Sequence, residues 1–64
     1  MKNRIQELRK LRRISQEELA VAMNVTRQTI ISLEKGRYSP SIDLAYRLSV
    51  FFGMTIEELF LFED

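Results

Sequence analysis

Between Arg27 and Lys35 the polar side chains are spaced for one face of a helix. Gln28, Ile31, Ser32 and Lys35 recur at i, i+3, i+4 and i+7, with Arg27 beside them. An arginine fork can bridge O6 and N7 of guanine, and a glutamine amide can bridge N6 and N7 of adenine. A stripe of this kind therefore suits the base edges of a major groove. Ile31 is its apolar member, read either as an exposed residue that needs no special role or as a contact for a thymine methyl. Catalysis finds no equivalent set. The chain has no His and no Cys, no Ser has an evident activating partner, and a structural zinc site of the Cys/His kind is excluded. Glu57 and Glu58 are better explained by helix capping and the helix dipole. No enzyme activity, cofactor, metal or small-molecule ligand is expected.

The elements that must position this stripe are helices. Ile5, Leu8, Leu11 and Ile14 recur at roughly helical spacing and predict a first helix near residues 3–13 with a basic outer face. Ser15-Gln-Glu-Glu18 has the form of a capping box and opens a second helix to about Met23, with Leu19, Ala20 and Met23 inward. Asn24 tolerates the left-handed turn conformation. Thr26 then caps a third helix whose inner positions are Ile30 and Leu33 and which ends at Gly36. Residues 35–40 contain Gly, Ser and Pro and read as a loop. Ser41 caps a fourth helix with a wide apolar face, Ile42, Leu44, Ala45, Leu48, Phe51 and Phe52, stopped by Gly53. Thr55-Ile-Glu-Glu58 opens a short fifth helix through Leu59. The expected fold is an all-α, compact five-helix domain over residues 1–64.

Sixty-four residues bury only roughly 60% of the surface of the unfolded chain, so self-association would help to stabilise so small a core. No apolar run approaches the roughly 20 residues of a membrane span, and no signal peptide is evident. A cytoplasmic protein is expected. The net charge of +1 conceals an asymmetry: residues 1–40 carry nine Lys/Arg and four Glu, whereas residues 41–64 carry one Arg and five acidic residues. A +5 end facing a polyanion and a −4 end facing away from it would use that division.

Paired helices in 15–35, with small Ala20 at the approach, Asn24 at the turn and Val25 as an apolar plug, fit a helix-turn-helix. SQEELA at 15–20, NVTRQTI at 24–30 and LEKG at 33–36 resemble the Xre (Cro/C1-type) helix-turn-helix family of small phage and bacterial regulators. Residues 40–60, PSIDLAYRLSVFFGMTIEELF, resemble that family's fourth and fifth helices. The resemblance is greatest to short stand-alone homodimeric members, among them a repressor of a cytolysin operon. It implies a lambda-repressor-like fold, and base reading by Arg27, Gln28 and Ser32, with Ile31 beside them. It also implies that Gln16 contacts a phosphate and that Arg37, Tyr38 and Ser39 grip the sugar-phosphate backbone. Ser15, Thr26 and Lys35 join this backbone-contacting set. Arg9 and Glu34 stand where relatives form a structural salt bridge. Arg13 and Asn24 stand where many relatives have Gly, and Arg13 would add a phosphate contact.

A single recognition helix reads few base pairs, and dimers read two half-sites roughly 34 Å apart. The expected partners are therefore double-stranded operator DNA and a second copy of the chain. The dimerisation end is placed at about 54–64, with Ile56, Phe60, Leu61 and Phe62 at the interface and Leu59 in the core. By analogy with similar regulators, Met1 to Asn3 and Leu61 to Glu63 would pair as an antiparallel ribbon. The expectation is a sequence-specific repressor of a palindromic operator. The alternative is an antitoxin-like or other protein-interaction module on the same fold.

Overall fold

The computed structural model describes residues 2–61. Five helices follow in order, α1 (Ile5–Leu11), α2 (Gln16–Met23), α3 (Arg27–Glu34), α4 (Ile42–Phe52) and α5 (Ile56–Leu59). Strands β1 (Lys2–Asn3) and β2 (Phe60–Leu61) flank them and pair antiparallel, Lys2 opposite Leu61 and Asn3 opposite Phe60. The ribbon uses Phe60 where the sequence reading began at Leu61; Met1, Phe62 and Glu63 lie outside the described residues.

Local chemistry explains where α2 to α5 start. Ser15 Oγ accepts the Glu18 N–H at 3.0 Å while Glu18 accepts the Ser15 N–H at 2.9 Å. Thr55 and Glu58 repeat this reciprocal pair at α5. The backbone N–H and then the hydroxyl of each cap hold the Glu18 and Glu58 carboxyls below their ordinary pKa. Thr26 and Ser41 cap α3 and α4 through their hydroxyls alone.

The helices α1 to α4 end alike. Ile14 donates to Arg9, Val25 to Ala20, Arg37 to Ser32 and Met54 to Ser49, each accompanied inside it by a backbone bond that spans fewer residues. This is the Schellman pattern, which needs one left-handed residue per helix end. Arg13 (φ 55°), Asn24 (φ 57°), Gly36 (φ 70°) and Gly53 (φ 68°) supply it. In three of the four cases the residue that follows, Ile14, Val25 or Met54, packs against the core. Arg13 is the least suited of the four, since a Cβ in this conformation costs about 1–2 kcal/mol. Arg13→Gly should stabilise the fold by about 1 kcal/mol after the added flexibility of the unfolded chain is deducted. Thermal unfolding should then shift up by about 4–8 °C; an unchanged or lower midpoint would show that the turn stores no strain.

The core contains Ile5, Leu19, Ala20, Met23, Ile30, Leu33, Leu44, Ala45, Leu48, Phe52, Leu59 and Phe60. It corrects the expected faces in three places. Ile42, at the first position of α4, is 84% exposed, because that helix meets the core only from Leu44 onward. Leu11 is exposed, and the inward position one turn after Ile5 is held by Arg9 instead. Phe60 is 1% exposed within one chain and so has no surface left for a partner.

Polar side chains tie the helix ends together across the fold. Arg12 donates to the carbonyls of Phe51 at 2.7 Å and Phe52 at 3.0 Å, and its guanidinium lies 5.1 Å from the Phe52 ring centroid. Arg47 donates to the Met23 carbonyl at 2.6 Å, and Asn3 Nδ2 to the Leu33 carbonyl at 2.8 Å. The final carbonyls of α4 and α2, which lack partners within their own helices, are thereby satisfied by distant donors, and the Leu33 carbonyl near the end of α3, which already accepts from Gly36, gains a second one.

Candidate nucleic-acid interface

Helix α3 is anchored by Ile30 and Leu33, both fully buried. Its opposite side carries Arg27 and Gln28, which are exposed, and Ile31 and Ser32, which are half-buried. Gln28 Nε2 lies 3.5 Å from Ser32 Oγ, a long and weak hydrogen bond that leaves both groups able to take other partners. Ile31 is half-buried, which leaves both of its sequence readings open.

The N-terminus of α2 and the first residue of α3 meet in an open hollow of about 510 Å³ lined by Arg9, Ser15, Gln16, Glu17 and Arg27. The first backbone N–H groups of a helix have no partners within it, so α2 directs positive partial charge toward this end. Ser15 and Gln16, both assigned to the backbone-contacting set, lie together here. The hydroxyl of Thr26 is already engaged, accepting the Thr29 N–H at 3.2 Å and sharing a 3.0 Å contact with Thr29 Oγ1. Lys35, Arg37, Tyr38 and Ser39 are exposed at the end of α3 and in the loop beyond it, and Arg13 is exposed at the end of α1.

Arg9 and Glu34 face each other beneath the hollow. Arg9 Nε donates to Glu34 Oε2 at 2.6 Å and its Nη2 to Oε1 at 3.2 Å, with side chains 9% and 3% exposed. Its third nitrogen donates to the Ile14 carbonyl at 2.9 Å. The +5 of residues 1–40 is therefore not a single outward face. Arg9 is neutralised by Glu34, Arg4 pairs with Glu7 at 3.1 Å, and Arg12 is held on the end of α4. Among the described residues, Arg13, Arg27, Lys35 and Arg37 are exposed cations in or beside the helix-turn-helix, and Lys10 is exposed on α1.

Sequence reasoning missed the 3.1 Å hydrogen bond from Gln16 Nε2 to Glu34 Oε1, as well as the structural duties of Asn3, Arg12 and Arg47. Eighteen to forty residues separate these partners along the chain. No periodicity or capping signal reaches that far.

The toward-the-tail residues divide. Leu61 is 43% exposed and Ile56 half-buried, whereas Phe60 is buried. Phe62 lies outside the described residues.

Comparison with known proteins gives the geometry a context. A family profile described as helix-turn-helix matches residues 5–59. The whole chain is 48% identical to an uncharacterized HTH-type transcriptional regulator of Methanocaldococcus jannaschii, spanning 97% of it. It is likewise 44% identical to an uncharacterized HTH-type transcriptional regulator, YgzD, of Bacillus subtilis, again over 97% of that protein. Over 57 residues, 89% of this chain and 51% of the relative, it is 37% identical to the cryptic phage CTXphi transcriptional repressor RstR of Vibrio cholerae. With the match running from the first core residue of α1 to the last of α5, the chain belongs to the Xre (Cro/C1-type) helix-turn-helix family of transcriptional regulators.

Proposed function

We propose that the chain is a homodimeric repressor that binds double-stranded DNA sequence-specifically, laying α3 in the major groove of a palindromic operator. The observation that carries this reading is the division of α3: Ile30 and Leu33 are fully buried, while Arg27 and Gln28 are exposed, Arg27 beside the N-terminus of α2. In this reading Arg27, Gln28 and Ser32 contact base edges, and Ile31 packs against a thymine methyl. Ser15, Gln16, Thr26, Lys35, Arg37, Tyr38, Ser39 and Arg13 hold the backbone, which sets register and orientation. The similarity to a phage protein named as a repressor supports the direction of regulation. Leu61 and Ile56 supply the remaining apolar surface at the tail for a second copy, which would set two copies of α3 on half-sites about one turn apart.

Selection of bound sequences from a random duplex pool tests the reading. A palindrome with half-site centres about 10 base pairs apart is the expected product. On the selected site Gln28→Ala should cost about 1–3 kcal/mol and relax selectivity at one position. Arg37→Ala should weaken binding to selected and scrambled duplexes alike. A Gln28→Ala protein that discriminates as the parent does would remove α3 from the reading role.

A further inference from the structure

The contact between Gln16 and Glu34 gives the hollow a defined polarity. A glutamine amide has two ends of nearly equal size, one donating and one accepting. A phosphate oxygen can only accept, so a glutamine that contacts DNA backbone must present nitrogen. Gln16 does not choose freely. Its nitrogen lies 3.1 Å from Glu34 Oε1, and an ionised carboxylate has no proton to donate. Turning the amide over would set its oxygen against that carboxylate, two acceptors with nothing between them. The Glu34 side chain is only 3% exposed, so water does not readily replace the lost donor.

Nitrogen geometry then directs the second N–H away from Glu34, and Gln16 lines the open hollow with Ser15, Arg9, Arg27 and Glu17, whose exposed carboxylate is screened by solvent. The negative charge of Glu34 would repel a phosphate there, but Arg9 neutralises it through two hydrogen bonds. Buried ion pairs are weak evidence for stability in themselves. This one ties α1 to the last residue of α3, and the Gln16 hydrogen bond adds the start of α2.

We propose that Glu34, held by Arg9, is a positioning residue that fixes the Gln16 amide with its nitrogen toward a DNA phosphate in the hollow. The phosphate half of the proposal rests on the DNA-binding reading above; the orientation of the amide does not.

Two measurements on the full chain test it. In the free protein, the nuclear magnetic resonance spectrum should show one Gln16 side-chain amide proton shifted downfield and protected from exchange. That signature should vanish in Arg9→Met/Glu34→Leu, which removes both charges together. Binding is read by fluorescence anisotropy at low salt on a random-sequence duplex of about two helical turns, since phosphate contacts are independent of sequence. Gln16→Ala and Arg9→Met/Glu34→Leu should each weaken binding on the order of tenfold, and the triple variant should bind no more weakly than Gln16→Ala. Additive losses, or parental affinity in the double variant, would overturn the proposal. Two Gln16 amide protons exchanging equally in the parent would overturn it without any variant, so failure of the double variant to fold does not shelter it. A protected amide in a parent that fails to bind the duplex would instead overturn the phosphate role together with the DNA-binding reading.

Discussion

Glu34→Leu alone should lower the unfolding free energy by about 3–5 kcal/mol, because it strands the Arg9 guanidinium beneath the hollow without its counter-charge. A domain of this length has roughly 3–10 kcal/mol in total, so the loss should remove from about a third to all of its stability. Arg9→Met should behave similarly by stranding the carboxylate. Combining the two should recover most of the loss, since a buried ion pair replaced by apolar side chains of similar volume is often neutral. The Ile14 carbonyl loses its 2.9 Å donor in that double variant, which is why recovery is expected to be incomplete. Urea unfolding followed by circular dichroism distinguishes this from the alternative, in which the pair acts as two independent surface charges. Losses of under about 1 kcal/mol in each single variant would indicate that solvent screens the pair despite its burial.

What the sequence made legible divides along chain distance. Ser15 with Glu18, Thr55 with Glu58, and the left-handed Asn24 and Gly53 all act within a few residues of themselves, so their spacing alone identified the starts of α2 and α5 and the ends of α2 and α4. The inner positions of α3, Ile30 and Leu33, followed from helical period. Arg9 shows where such reasoning stops. Its charge suggests solvent, and its inward place one turn beyond Ile5, paired with Glu34 twenty-five residues later, follows from the family resemblance and not from spacing. Arg12 likewise reads as part of a basic outer face until the carbonyls of Phe51 and Phe52 are brought to it. Counting charge along the chain therefore overstated the cations free to meet a polyanion. The candidate site was legible as a set of side chains on α3. How α2 and α3 join, with Gln16 bound to Glu34, was not.

The tail exposes the same limit, and a second large effect follows from it. Phe60→Ala should destabilise the fold by about 3–5 kcal/mol, as expected for a large ring removed from a close-packed core. The reason lies in a change of period. Helix α5 ends at Leu59, and Phe60 is already extended, with φ −104° and ψ 121°. From there successive side chains point to opposite faces; Phe60 turns inward opposite Asn3, and Leu61 turns out opposite Lys2. Counting apolar residues at the tail could not separate the two, because the separation depends on where helix gives way to strand. Because Phe60 is buried within one chain, its loss should be the same at micromolar and at hundredfold higher protein concentration. Leu61→Asp should do the opposite: it should spare the stability of the dilute protein and abolish the rise of the melting temperature with concentration that a dimer requires. If the cost of Phe60→Ala instead shrank on dilution while Leu61→Asp changed nothing, the ring would belong to the interface between copies. The inward turn of the strand at residue 60 would then be wrong.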